Sequence, residues 1–458
     1  MSTIRKQFAL LFFVITATWS SLTMADSKPW RLDDILVLPQ EFSISGQHRI
    51  RFETLDNQFR GNRGGGDQVL LLRTLIFAKL DLKQIRFAVE MEDSRTEQAD
   101  SGTPLSTSVV NPLELLQAYA EIPVNDLFAT GSTSTLRAGR ITMDLGSRRL
   151  VARNRFRNTI NAFTGIDWQW TGPDKTQVRA FYTLPVQRRV SGSLLDNDPE
   201  FDRESTDVRF WGLYYAPGRL PWGDMGEVYF LGLNENDAPE LATRNRDIYS
   251  LGTRLYRPAK KSRFDYQVEA VYQFGNSRST TAASNVTDLD NSAYFIHLEA
   301  GYSIDATWSP QVVLQYDYAS GDSNNSDGDN NRFDTLFGAR RFDFGPTSIY
   351  GPFARANISS PGIRIKFKPQ SNISSFVAIR GFWLANHHDA WTTAGISNAP
   401  GVSKNFIGTQ IEGRLTWEPL PGNLGFEAGA AHIFAGDIMD NASKSDSTYF
   451  YTQAVFSF

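Results

Sequence analysis

Apolar and polar residues alternate along most of the chain, in segments separated by polar stretches rich in Gly, Asn, Asp and Ser. The first such segment puts Phe42, Ile44, Gly46, His48, Ile50 and Phe52 on one face. Ser43, Ser45, Gln47, Arg49, Arg51 and Glu53 fall on the other. A period of two predicts a strand with one apolar and one polar face. The apolar face suits lipid and the polar face a watery lumen, because an arginine against lipid at mid-depth costs about 2–4 kcal/mol. The same pattern predicts strands near 69–82, 84–94, 113–122, 134–143, 161–171, 176–185, 207–216, 226–234 and 247–256. It continues near 263–273, 291–304, 310–320, 359–368, 374–384, 405–417, 424–434 and 448–458, giving roughly 18 strands in all. Long connections (54–68, 95–112, 144–160, 186–206, 275–290, 321–358, 385–404 and 435–447) interleave with short ones (172–175, 257–262, 305–309, 369–373 and 418–423). The fold expected is all-β, a transmembrane antiparallel barrel with short periplasmic turns and long extracellular loops.

The two ends of the chain refine this expectation. Met1–Ala25 has a basic start (Arg5, Lys6), an apolar stretch from Phe8 to Ala17 and small residues at Thr23 and Ala25, the pattern of a cleaved secretory signal. Residues 26–458 then form the barrel domain. The last segment alternates Phe450, Thr452, Ala454, Phe456 and Phe458 on one face. In a soluble protein such a strand is an unprotected edge, whereas in a closed barrel it pairs with the first strand. It resembles the C-terminal signal of bacterial outer-membrane proteins, so the expected location is the bacterial outer membrane. Aromatic residues near the predicted strand ends (Trp168, Trp170, Tyr214, Tyr249, Tyr256, Tyr294, Tyr302, Trp308, Tyr316, Trp383 and Trp417) suit two interfacial girdles.

Composition removes the other classes. The mean hydropathy of −0.34 is too polar for a bundle of membrane helices, and 13% aromatic residues are too many for a disordered chain. There is no cysteine, which excludes disulfides, thiolate metal sites and cysteine nucleophiles. No sequence repeat of a propeller or β-helix is present. The five histidines lie near no nucleophile motif, so no enzyme, cofactor or metal is expected. His387-His388-Asp389 reads as an exposed loop. The stretch Asp322–Asp329 has oxygens at alternate positions, as calcium loops do, but lacks their glycine and final glutamate.

Charge then separates the lumen from the loops. The formal charge is −4, or −6 once Arg5 and Lys6 leave with the signal. Basic residues expected on inward faces are Arg49, Arg51, Arg73, Lys79, Arg86, Arg140, Arg179, Arg209, Arg254, Arg263, Arg364, Lys366, Arg380 and Arg414. Inward acids include Glu53, Asp81, Glu90, Glu92, Glu121, Asp265, Glu269, Glu299, Asp317, Glu412 and Glu427, so the wall is mixed. The connection 144–160 differs. It carries Arg148, Arg149, Arg153, Arg155 and Arg157 with no acid between Leu145 and Ile166. Those five charges either latch onto acids of the wall or face a passing anion, for which the guanidinium fork is suited. Phe181, Trp211 and Tyr119 are expected inward, as lumen filling or as a stacking track for sugar rings.

Several stretches resemble the alginate export family of outer-membrane barrels: Arg49–Arg60, Leu115–Ile122, Gly139–Leu150, Asn154–Phe163 and Val178–Pro185. The likeness is strongest over roughly 45–215 and continues to Phe458. It implies a monomeric barrel of 18 strands whose arginine-rich lumen passes a polyuronate. In the family's known exporter a long periplasmic turn helps plug the pore, whereas the matching turn here, Pro419–Leu424, is short. The expected function is an outer-membrane channel for an anionic solute, an acidic polysaccharide such as alginate or its oligomers. A general porin for small anions or nutrients is the alternative. Expected partners are that solute, outer-membrane lipid and the barrel assembly machinery, with no nucleic acid.

Overall fold

The protein is described from a computed structural model covering residues 29–458 except Pro239, Asn325 and Pro400; the signal segment 1–25 lies outside the described residues. The alternating segments form a closed antiparallel barrel of 18 strands. They are β1 (Phe42–Asp56), β2 (Asp67–Asp81), β3 (Arg86–Glu97), β4 (Asn111–Asn125), β5 (Thr133–Ile141) and β6 (Phe163–Thr171). Then follow β7 (Gln177–Pro185), β8 (Val208–Ala216), β9 (Met225–Glu235), β10 (Asp247–Arg257), β11 (Phe264–Ser277) and β12 (Leu289–Ser303). The last six are β13 (Gln311–Ala319), β14 (Ile358–Gln370), β15 (Ile373–Trp383), β16 (Phe406–Leu420), β17 (Leu424–Ala435) and β18 (Ser447–Ser457). Each pairs with the next, and β18 returns to β1 in the register His48↔Phe456 to Asp56↔Thr448. Among the described residues no helix is long and apolar enough to cross a membrane.

The faces follow the alternation. On β1, Ile50 is exposed while Arg51 and Glu53 are fully buried. The seam carries a steric signature. The Phe458 ring lies 2.4 Å from where a Cβ on Gly46 would sit, and the two residues exchange backbone hydrogen bonds of 2.8 and 3.0 Å. Any larger residue at Gly46 would have to displace that ring. Before the barrel, Trp30 stacks on Phe456 at 6.0 Å and exchanges hydrogen bonds with Asn423 in the β16–β17 turn.

Two long connections turn inward, L3 (142–162) and L7 (320–357). Strand β5 ends at Ile141 and β6 begins at Phe163, inside the predicted bounds, because Met143, Leu145, Leu150 and Val151 of L3 are all buried. They share one apolar cluster with Phe333, Phe344, Ile349, Tyr350 and Phe353 of L7 and with wall residues such as Tyr229 and Leu231. The loops also pair through their backbones: Phe337 donates to the Leu150 carbonyl and Ala339 to that of Arg148. A Cβ on Gly338 would meet the Arg149 carbonyl at 1.7 Å, so that contact needs a glycine. Connection L4 (186–207) carries a short hairpin, Gln187–Val190 with Pro199–Arg203.

Candidate functional site: the charged lumen

L3 is fastened to L7 and the wall by a buried ionic hub. Arg149 donates to Asp343 at 2.9 and 3.0 Å, to Glu269 at 2.7 Å and to His297 Nε2 at 2.9 Å. Arg355 of L7 pairs with the same Asp343. Arg380 on β15 reaches Asp317 at 2.8 Å and the Asp343 carbonyl at 2.7 Å. His297 Nδ1 lies 2.8 Å from Asp317, and its other nitrogen faces the donors of Arg149 and Gln267. The Glu299 carboxylate also lies 3.6 Å from Nε2, so both ring nitrogens are already engaged. Three arginines and three acids balance within the hub. His297, Asp317 and Asp343 lie close enough together to hold a metal ion, but Arg149, Arg380 and His297 itself already engage the carboxylate oxygens.

The far half of L3 is held differently. Arg49 donates to the carbonyls of Arg155 and Arg157 at 3.0 and 2.9 Å, and Arg73 to the same two at 3.0 Å. Arg51 lies 3.9 Å over the Phe156 ring, beside Glu53 at 3.3 Å. Arg153 pairs with Glu90 at 2.5 Å and Arg155 with Asp144 at 2.5 Å. Among the described residues no carboxylate pairs with Arg157. Burial, and then Arg340 and Arg188 nearby, depress it to about 9.

Two cavities lie between these loops and the periplasmic turns. One, of about 470 Å³, is lined by seven cationic side chains: Lys260, Lys261, Arg341, Arg364, Lys366, Lys368 and Arg414. Among the described residues that line it there is no carboxylate. Phe376 lies between two guanidinium groups, Arg364 at 4.8 Å and Arg414 at 4.9 Å from its ring. Arg364 is buried, its Nε has no partner, and no described carboxylate pairs with it. The other cavity, of about 600 Å³, is lined by Arg31, Arg49, Arg73, Arg153 and Arg155 with a single acid, Glu90.

The sequence matches the family model described as Alginate export over residues 40–453. The chain belongs to the alginate export family. No curated protein matches this sequence. The fold is similar to Pseudomonas aeruginosa OccK9 (OpdG), at 12% identity and TM-score 0.60, covering 92% of this chain and 98% of that one. It is also similar to Acinetobacter baumannii OccAB1 (11% identity, TM-score 0.59, 92% and 97% covered). OccAB3 of the same organism gives 11% identity, TM-score 0.58, and 91% and 100% covered. Membership and fold make this protein a channel of the bacterial outer membrane.

Within this alginate export family barrel most of the predicted lumenal residues fall into three groups. Arg86 pairs with Asp81 and Glu121, Arg140 with Glu114 and Glu204, and Arg179 with Asp167. Together with Arg51, Arg149, Arg153, Arg155 and Arg380 they bind carboxylates of the wall and loops. Arg49 and Arg73 hold loop carbonyls. Arg364, Lys366 and Arg414 line the basic cavity, with Glu427 3.8 Å from Arg414. Arg148 is exposed, 5.3 Å from the Phe342 ring.

Arg209 corrects its prediction. It shares the outward face of β8 with exposed Leu213 and Tyr215, because Phe210 and Tyr214 take the inward positions. The same parity turns Trp211 outward, where it joins Phe230 and Tyr249. Tyr214 and Tyr256 point inward rather than joining a girdle. Arg263 lies exposed in a periplasmic turn. Arg340, Arg341 and Arg355 are not among the expected lumenal residues, because 321–358 reads as a long connection outside the strands. Its second half holds Phe342, Phe344, Ile349, Tyr350 and Phe353, an apolar density that marks a buried segment.

Proposed function

We propose that this channel passes anionic solutes, with acidic oligosaccharides of the alginate class as the best fit. The observation that carries the reading is the cavity lined by seven cationic side chains and no carboxylate: Arg341, Lys261 and Arg414 pair with Glu412, Asp305 and Glu427 beyond its lining, but Lys260, Arg364, Lys366 and Lys368 have no carboxylate partner among the described residues. A guanidinium without a carboxylate partner exchanges water for a solute carboxylate through two parallel hydrogen bonds. Arg364 is such a group, and its position over the Phe376 ring orients it for this. Spacing the cations along a wall keeps each contact weak enough for release. L3 and L7 stand between this cavity and the outer face, so a solute passes only as they yield.

The cavity volumes favour a second reading, passage of small anions rather than a long chain. One experiment separates the two. In planar bilayers with a salt gradient, the reversal potential is expected to report anion preference. The triple change Arg364→Gln, Lys366→Gln and Arg414→Gln is expected to abolish it. Block of the current by alginate oligomers, rising with their length, supports the oligosaccharide. Equal block by neutral oligomers of the same length refutes it, and cation preference in the unmodified protein refutes both readings.

A further inference from the structure

A second basic site lies outside the lumen, on the periplasmic rim. The turns 217–224 and 258–263 enclose a groove of about 280 Å³ lined by Arg219, Trp222, Asp224, Arg257, Lys260, Arg263 and Phe264, among others. Arg257 and Tyr266 share the lipid-facing strand sides of exposed Leu251 and Val268. Asp224, the groove's one acid, is neutralised: Arg257 binds it at 2.7 and 3.1 Å, and Tyr266 donates to it at 2.6 Å. Arg219, Lys260 and Arg263 are exposed, and none of them has a carboxylate partner among the described residues. The groove therefore carries an excess of three positive charges.

Its flanks are apolar. Trp222 is 65% exposed and Phe264 72% exposed, with Phe264 packed on Tyr302 at 4.7 Å. Tryptophan and tyrosine prefer the boundary between headgroups and hydrocarbon, so this edge of the barrel stands at headgroup depth.

We propose that this groove binds the headgroup of an anionic phospholipid from the periplasmic leaflet. The phosphate takes the hydrogen bonds of Arg219, Arg263 and Lys260, and the acyl chains run upward past Phe264. Basic clusters at a membrane surface attract anionic lipid in this way, each charge adding a similar increment. The exposed aromatics favour a lipid over a soluble anion, which gains nothing from an apolar wall. An acidic periplasmic protein would need the groove to face water, whereas Arg257 and Phe264 face the bilayer.

The test uses the full mature barrel in bilayers mixing phosphatidylglycerol and phosphatidylcholine, with retained lipid read by native mass spectrometry. The unmodified protein is expected to retain phosphatidylglycerol preferentially. Arg219→Gln with Arg263→Gln is expected to retain about thirtyfold less. Arg203→Gln with Lys404→Gln, on the outer loops, is expected to retain as much as the unmodified protein. Lys260 is left unchanged because it also lines the lumenal cavity. If the double variant fails to assemble, Arg219→Gln alone carries the same reading, with about a fivefold loss. Undiminished retention in the variants, or no preference in the unmodified protein, overturns the proposal. So does equally tight binding of inorganic phosphate without lipid, or of polyglutamate to the detergent-solubilised protein.

Discussion

Arg149 and Arg157 belong to the same loop, and their surroundings are opposite. Burial works against the charge of both. At Arg149, Asp343 and Glu269 outweigh that cost and raise its pKa above the ordinary guanidinium value. At Arg157, burial is joined by repulsion from Arg340 and Arg188, and its pKa falls to about 9. One arginine is thus a fastening and the other a cation without a carboxylate partner among the described residues, its loop held by its neighbours. A count of arginines in a lumen therefore says little about selectivity; what matters is which of them already hold a carboxylate.

The largest test of that contrast removes the fastening. Arg149→Met leaves Asp343 and Glu269 facing each other without their shared cation. Breaking one partner of a buried ion pair typically costs about 3–5 kcal/mol. The expected result is L7 cleaved rapidly by protease at Arg340 or Arg341 and a larger, noisier single-channel conductance, with the barrel still heat-modifiable on a gel. Unchanged conductance and protease resistance would mean that the apolar cluster alone holds the loops.

Gly338→Ala should act in the same direction more weakly. Its Cβ meets the Arg149 carbonyl, and overpacking of this kind costs about 1–3 kcal/mol. Conductance is the readout again, with an increase smaller than that of Arg149→Met.

The acidic counterpart of Arg157 is Asp202, in the L4 hairpin. Burial and then Glu114 raise its carboxyl to about 6, against about 3.9 for a free aspartate. Between those values the docked hairpin holds a proton that the undocked one has lost. Docking is therefore strongest below about pH 4 and weakens as pH rises towards 6. Hydrogen exchange over residues 187–203, corrected for intrinsic rates, is expected to be slower at pH 4 than at pH 7. Asp202→Asn should remove the difference.

The smallest effect is the most diagnostic. Arg157→Gln removes a charge that opposes burial, so it should slightly stabilise L3, by up to about 1 kcal/mol. Equal destabilisation by Arg149→Met and Arg157→Gln would erase the distinction between them.

The barrel could be read from the chain because lipid and water impose a period of two on every strand, as on β1 from Phe42 to Glu53. The mixed wall was legible for the same reason. Arg209 and Trp211 were misplaced because β8 is apolar on both faces: Phe210 and Tyr214 fill the lumen side while Leu213 and Tyr215 meet lipid. Where both faces are apolar, alternation carries no sign. The five-arginine cluster was visible, yet its division into paired and unpaired members was not. Asp343 and Arg340, which decide it, are almost two hundred residues away in L7. Only the fold brings them together.

The seam at Gly46 and Phe458 has a kinetic consequence. Nearly every other contact in the wall joins strands adjacent in sequence, so hairpins can form early and locally. The pairing of β1 with β18 joins the two ends of the barrel, and closing a long loop costs conformational entropy that must be met before any contact rewards it. Closure is then the slow, late event of assembly. The fit of the Phe458 ring over Gly46, with Trp30 and Asn423 clasped beside it, acts after the ends have met: it slows their parting rather than speeding their encounter. Substitutions at Gly46 should show in how long a finished barrel lasts, more than in how fast one is made.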